Sequence, residues 1–202
     1  MVASMRKRGI GKQRYVLRVA CRFCLLLLLI FANAHALVAD TYSDRRVSVG
    51  LNLFGALLVA DREADKKANE DGELPIYVLY ADDRLEAEGY AQTLQKKLAS
   101  IRDHRTRVES VSYNAYLAGE TDPPLGIFIS QRLTDSELEQ LIRSSIDGGV
   151  ILFSPFEGDV EKGVLGGLSV QASVRPYINQ KALEQTGLAI KSFYLRVARI
   201  YE

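Results

Sequence analysis

The sequence predicts an α/β domain of three layers, in which a mostly parallel sheet is flanked by helices and carries an edge hairpin near the carboxyl end. Three observations lead there. Short apolar runs bounded by turn residues recur at 76–80, 125–130 and 150–154, as strands buried on both faces do. Segments with apolar residues at helical spacing lie between them. The resulting order, strand–helix–strand–loop–strand–helix–strand, is that of crossover units in a parallel sheet.

The amino end reads as an export signal. Seven of the chain's 26 basic residues and none of its 25 acidic ones fall in residues 1–36, from Arg6 to Arg22. The apolar core Phe23-Cys24-Leu25-Leu26-Leu27-Leu28-Leu29-Ile30-Phe31 follows, then Ala34-His35-Ala36, a small-x-small cleavage pattern. This predicts a signal peptide over 1–36, cleavage after Ala36 and a periplasmic protein. The rival reading is an uncleaved anchor running on through Ala39. It needs about 20 apolar residues and must accommodate Asn33 and His35. Residues 37–46 read as a flexible mature amino end, and 47–202 as one domain. Cys21 and Cys24, the only cysteines, lie inside the signal, so the mature domain has no disulfide and no redox control is expected. Removing the signal leaves 19 basic against 25 acidic residues, a net charge of −6. That balance disfavours nucleic acid.

Each later element has its own reason. Val47, Leu51, Phe54, Leu57 and Leu58 recur at helical spacing. Residues 61–73 have no apolar face and read as a solvated loop or a fraying continuation of the helix. Pro75 opens a strand over Ile76–Tyr80, rich in β-branched and aromatic residues. A helix over 85–101 turns Leu85, Tyr90, Leu94, Leu98 and Ile101 inward. Residues 107–112 alternate as a second strand, and 114–124 form a loop with Pro123-Pro124. After the 125–130 strand, Thr134-Asp135-Ser136-Glu137 has the form of a capping box. It starts a helix with Leu138, Leu141, Ile142 and Ile146 on one face, stopped by Gly148-Gly149. Residues 165–174 and 175–179 suggest the edge hairpin, since Pro176 suits an edge. Residues 180–186 form a short helix stopped by Gly187, and 192–201 a terminal helix.

The carboxy-terminal third carries Leu165-Gly166-Gly167-Leu168, then Tyr177-Ile178-Asn179, then a short helix closing on Gly187-Leu188, and finally Leu195-Arg196-Val197-Ala198. This series resembles the YfiR family of periplasmic proteins. The resemblance makes Gly166, Gly167, Asn179, Gly187, Leu188, Leu195 and Ala198 structural signature positions. It implies a non-enzymatic regulator, without cofactor, that binds the sensor portion of an inner-membrane diguanylate cyclase and lowers cyclic di-GMP signalling and biofilm formation. It leaves a homodimer possible. The chain departs from the family's better-known members in lacking mature cysteines and in having Phe193-Tyr194 where they carry Arg-Leu.

Other chemistry was weighed against this. Asp82-Asp83 closes the first strand, where open α/β sheets gather ligands. A metal-binding receiver would also need an acid after the third strand and a lysine after a later one, and neither is there. His104 has no nucleophile elbow beside it, and no phosphate loop ends in Gly-Lys-Ser/Thr. Catalytic and metal residues are therefore none. Phe54, Phe156, Asp82 and Asp83 are the interaction candidates, Phe156 because the glycine-rich loop around it reads as exposed. The alternative function is a small-ligand-binding module related to one lobe of a solute receptor.

Overall fold

The computed structural model describes residues 45–202, and Arg46–Glu202 form one compact unit. The signal peptide and residues 37–44 lie outside the described residues.

The expected α/β class holds. Helix α1 runs over residues 45–60, and a 3-10 turn follows at Ala64–Lys67. Then come β1 (Glu73–Tyr80), α2 (Arg84–Lys97), β2 (Ser100–Ile101), β3 (His104–Ser112), α3 (Tyr113–Leu117), β4 (Gly126–Ile129), α4 (Asp135–Asp147) and β5 (Ile151–Phe153). The chain ends with β6 (Gly166–Val170), β7 (Val174–Asn179), α5 (Gln180–Thr186), α6 (Ser192–Val197) and β8 (Arg199–Tyr201). The eight strands of the described residues join one sheet in the order β2-β3-β1-β4-β5-β6-β7-β8. The pairs β3–β1, β1–β4, β4–β5 and β5–β6 are parallel. The step from β1 to β3 goes one way along the sheet and the step from β1 to β4 the other. Right-handed crossovers then put α2 and α4 on opposite faces.

The core forms where α1 lies on the central strands. Phe54 is fully buried, with its ring 5.6 Å from Phe128 and 5.8 Å from Phe153, whose rings stack at 5.8 Å. Offset and tilted rings at such spacing add to simple area burial. On the other face the capping box is complete. The Thr134 amide and hydroxyl both donate to Glu137 Oε2, at 2.8 and 2.7 Å, and the Glu137 amide donates to Thr134 Oγ1.

Several expectations need correction, and each has a physical cause. Helix α2 stops at Lys97, four residues early, because Thr106 Oγ1 bonds the Leu98 carbonyl and Ile101 pairs with His104 in a short antiparallel strand. Leu85 is 79% exposed, since the Asp83 cap turns the first turn of α2 to solvent. The 61–73 stretch is not simply a solvated loop. Asp61 and Ala64 are fully buried, Asp61 Oδ2 lies 3.4 Å from Lys67 Nζ, and Lys67 donates to the Gly149 carbonyl at 2.6 Å. Burial pushes the Lys67 ammonium down in pKa, against the pull of Asp61. The hairpin β6–β7 is not at the sheet edge, because the terminal helix ends at Val197 and the last residues add β8 alongside Tyr177–Asn179. Pro176 still escapes a ladder on its outer side, for β8 reaches only to Tyr177.

Candidate functional site

Two regions merit comparison as sites: the carboxyl edge of the sheet and the outer face of α1.

At the carboxyl edge, the crossover reversal falls between β1 and β4, the place where such sheets bind ligands. Here a side chain of the protein bridges the two strand ends. Gln131, just after β4, accepts through Oε1 from the amides of Ala81, Asp82 and Asp83 at 3.1, 3.0 and 3.1 Å, and its Nε2 donates to the Asp83 carbonyl at 2.6 Å. Ser130 Oγ ties the same strands by donating to the Leu79 carbonyl at 2.8 Å. Asp82 and Asp83 are exposed. Asp83 Oδ1 accepts from the Glu86 amide at 3.0 Å, capping α2. The pair is thus a turn and a helix cap. Among the described residues no group of three His, Cys, Asp or Glu side chains is placed to hold a metal.

Further along this edge, the β5–β6 loop is pinned from within. Ser154 Oγ donates to Asp159 Oδ2 at 2.5 Å and accepts from the Phe156 amide at 3.2 Å. Burial pushes the Asp159 carboxyl up from the ordinary value of 3.8, while the Ser154 hydrogen bond, Lys162 and Arg132 pull it back. Phe156 is not an exposed contact residue. It is 7% exposed, and the Arg132 guanidinium lies over its ring at 4.9 Å. Of the loop's glycines, Gly158 faces open space while a Cβ on Gly163 would meet Ile142 at 3.5 Å, so glycine content alone did not mark the loop as exposed. Phe54 likewise belongs to the core. His104 is at the opposite end of the sheet, with Nδ1 3.0 Å from the Gly72 carbonyl oxygen.

Gly166, Gly167, Asn179, Gly187, Leu188, Leu195 and Ala198 each have a packing or capping contact in the fold. A Cβ on Gly166 would fall 2.9 Å from Leu57 Cδ2, and one on Gly167 2.5 Å from Val160 Cγ2 and 2.9 Å from the Ser154 carbonyl oxygen. Asn179 caps α5 by accepting from the Ala182 amide at 2.9 Å, and its Nδ2 donates to the Val160 carbonyl at 2.7 Å. Gly187 ends α5 at φ 66°, the left-handed conformation glycine takes freely. Leu188, Leu195 and Ala198 pack, half-buried, against the core.

The outer face of α1 is different. Beyond Arg45 at its first turn, its exposed positions Ser48, Asn52, Ala56 and Val59 carry no charge, although an exposed helix face is ordinarily charged. Helices α2 and α6 flank it and leave a groove of about 400 Å³ between them. Gly55 and Ala56 form the floor and Leu98 and Phe193 stand as walls. Phe193 is 53% exposed and Val59 40% exposed, and Val197, on the same short helix as Phe193, is 57% exposed. Tyr194 fixes α6 in place: it is buried, and its hydroxyl donates to the Leu53 carbonyl at 3.3 Å. No acidic side chain lines the groove. Sequence reasoning missed this site because it made 192–201 a helix facing the sheet.

No family model matches the chain, and no curated protein matches it. Solved structures do. One is the ABC domain in complex with L-Trp from Streptococcus pneumonia, with TM-score 0.46, 15% identity, and coverage of 71% of this chain and 60% of that one. A conserved domain protein from Vibrio cholerae O1 gives TM-score 0.44 and 15% identity, over 68% and 57%. The ligand-free, open structure of CD0873 from Clostridium difficile, a substrate binding protein with adhesive properties, gives TM-score 0.45 and 14% identity, over 69% and 57%. The chain therefore spans only 57–60% of the length of these structures.

Proposed function

We propose that this is a non-enzymatic regulator, exported to the periplasm, that acts by binding another protein. The observation that carries this is the outer face of α1 from Ser48 to Val59, uncharged and partly apolar, left uncovered between α2 and α6. On this domain an exposed Phe193 and Val197 beside a groove are what a docking surface needs. The resemblance to the YfiR family supplies the finer reading, in which the partner is the sensor portion of an inner-membrane diguanylate cyclase and binding lowers cyclic di-GMP output. The test is purification of the tagged full-length protein from its own cell envelope after mild crosslinking, with mass spectrometry of what accompanies it. Enrichment of a membrane protein carrying a cyclase domain supports this reading. Recovery of the protein alone removes it.

A second reading, a small-ligand-binding module, is favoured by the crossover reversal between β1 and β4. For a ligand to enter there, Gln131 has to release the amides of residues 81–83. A rise in melting temperature with a panel of amino acids and other small polar solutes would support it, since a ligand that binds only the folded state raises the transition.

A further inference from the structure

We infer that the groove between α1, α2 and α6 receives an amphipathic helix whose apolar stripe is flanked by acidic side chains. This rests on the protein-binding reading above and specifies the partner's chemistry. Two features of the groove define the occupant.

The first is shape. From Leu51 to Val59 the groove follows α1 over eight helical rises, about 12 Å at 1.5 Å each. That is about two turns of a helix laid alongside, which present three to four apolar side chains on one face. The small residues Gly55 and Ala56 in the floor allow a second backbone to come close. Helix-in-groove recognition uses this combination of a short apolar trough and a few anchors.

The second is charge. The domain as a whole is acidic, with 19 basic and 25 acidic residues beyond the signal, yet the sign reverses locally. Lys97 lines the groove, Lys191 bonds the carbonyl of Val59 in its lining, and Arg196 follows Phe193 by three residues on α6. Among the described residues none of the three has a carboxylate partner. Lys97 Nζ donates to the neutral Asn52 side chain at 2.8 Å and Lys191 Nζ to the Val59 carbonyl at 3.0 Å. Both ammonium groups are thus held at the rim, each with donor capacity to spare. Three cations around an apolar trough, on an otherwise acidic domain, select an acidic partner and repel a basic one.

The probe is a fluorescent helical peptide of about 18 residues, leucine and alanine on one face and glutamate on both flanks, with a control in which lysine replaces every glutamate. Each is titrated into the full-length protein and followed by anisotropy. The acidic peptide should bind at least about tenfold more tightly than the basic one and weaken as salt rises from about 50 to about 500 mM. Ala56→Glu, at an exposed position, should abolish binding, and Lys97→Glu with Arg196→Glu should reverse the preference. Equal binding of both peptides, or of neither, overturns the inference. So does capture of anionic lipid vesicles in place of the acidic peptide, or self-association that Ala56→Glu dissolves. The two readings fail separately. If the envelope crosslinking recovers a membrane signalling protein and Ala56→Glu leaves its yield unchanged, the groove inference falls and the regulator stands. If no such protein is recovered but the peptide selectivity holds, the regulator falls and the groove remains.

Discussion

Replacing Gly167 by alanine puts a methyl group where the fold has no room. The added Cβ would sit 2.5 Å from Val160 Cγ2 and 2.9 Å from the Ser154 carbonyl oxygen, where ordinary contacts begin at 3.4 Å. Val160 has to retreat by about 0.9 Å. It is 2% exposed, and its own carbonyl accepts the buried Asn179 Nδ2 at 2.7 Å. Retreat therefore strains that hydrogen bond, which also orients the cap of α5. Overpacking of a core costs about 1–3 kcal/mol, and a weakened buried hydrogen bond adds about 1 kcal/mol. We expect about 2–4 kcal/mol in all, a fall in melting temperature of roughly 5–15 °C for a domain of this size. Urea unfolding followed by circular dichroism measures it. The companion Val160→Ala tests the cause. The double variant should be more stable than the sum of the two single effects by at least about 1 kcal/mol, because the shortened side chain vacates the position of the new methyl. A Gly167→Ala protein within about 0.5 kcal/mol of the parent, or a double variant that is simply additive, refutes the close-approach account of the double glycine.

Three further outcomes follow from the polar groups. Asp159 has its carboxyl pushed above the ordinary value by burial, so the folded state takes up its proton more readily than the unfolded chain. Stability then falls as pH rises from about 3.8 through the folded-state value, and the penalty is fully present above that value. Asp159→Asn, which can still accept from Ser154, should be the more stable protein at neutral pH, and its advantage should shrink toward zero as pH drops below that window in thermal melts at stepped pH. Lys67→Met leaves the fully buried Asp61 carboxylate without its cation and should cost about 3 kcal/mol in urea unfolding. Asp61→Asn in the same chain should restore most of it. Gln131→Ala removes the acceptor shared by three amides, and hydrogen exchange at Ala81, Asp82 and Asp83 should quicken by about tenfold with little change elsewhere.

Legibility in the sequence depended on whether a signal was local. The capping box was readable at Thr134 and Glu137 because both halves lie within one turn. The runs at 125–130 and 150–154 were readable as strands because a strand buried on both faces has no other composition open to it. Gly187 announced the end of α5 for a similarly local reason, a left-handed residue after a short helix. The errors share a different cause. Phe193, Val197 and Ile200 have helical spacing, and nothing between Arg196 and Tyr201 breaks a helix by propensity. The break comes from tertiary pairing, in which β7 offers an unfilled ladder to Arg199, Ile200 and Tyr201. Phe156 failed in the same way, since its cover is Arg132 from a loop 24 residues earlier.

This difference bears on where the functional surface could be found. The candidates chosen from sequence were residues conspicuous by type: two phenylalanines and two adjacent aspartates. Folding absorbed three of the four, Phe54 into the aromatic cluster, Phe156 under a guanidinium, and Asp83 into a cap. The groove is built from inconspicuous residues: a glycine, an alanine, and lysines bonded to neutral acceptors. It exists only because α6 ends early. Had the terminal helix continued to Tyr201, the residues that now pair with β7 would have remained helical, and the sheet would have ended at the hairpin. Instead the chain turns at Ala198 to add β8, leaving Phe193 and Val197 on a two-turn helix that is anchored through Tyr194 and open on its outer side. The same turn that completes the sheet thus supplies one wall of the groove. Shortening the chain before Arg199 should therefore loosen α6 and weaken acidic-peptide binding together, whereas Phe193→Ser should weaken binding and leave the melting temperature within about 2 °C of the parent. Loss of binding in the truncation with α6 still protected from exchange would break the link between the last strand and the groove.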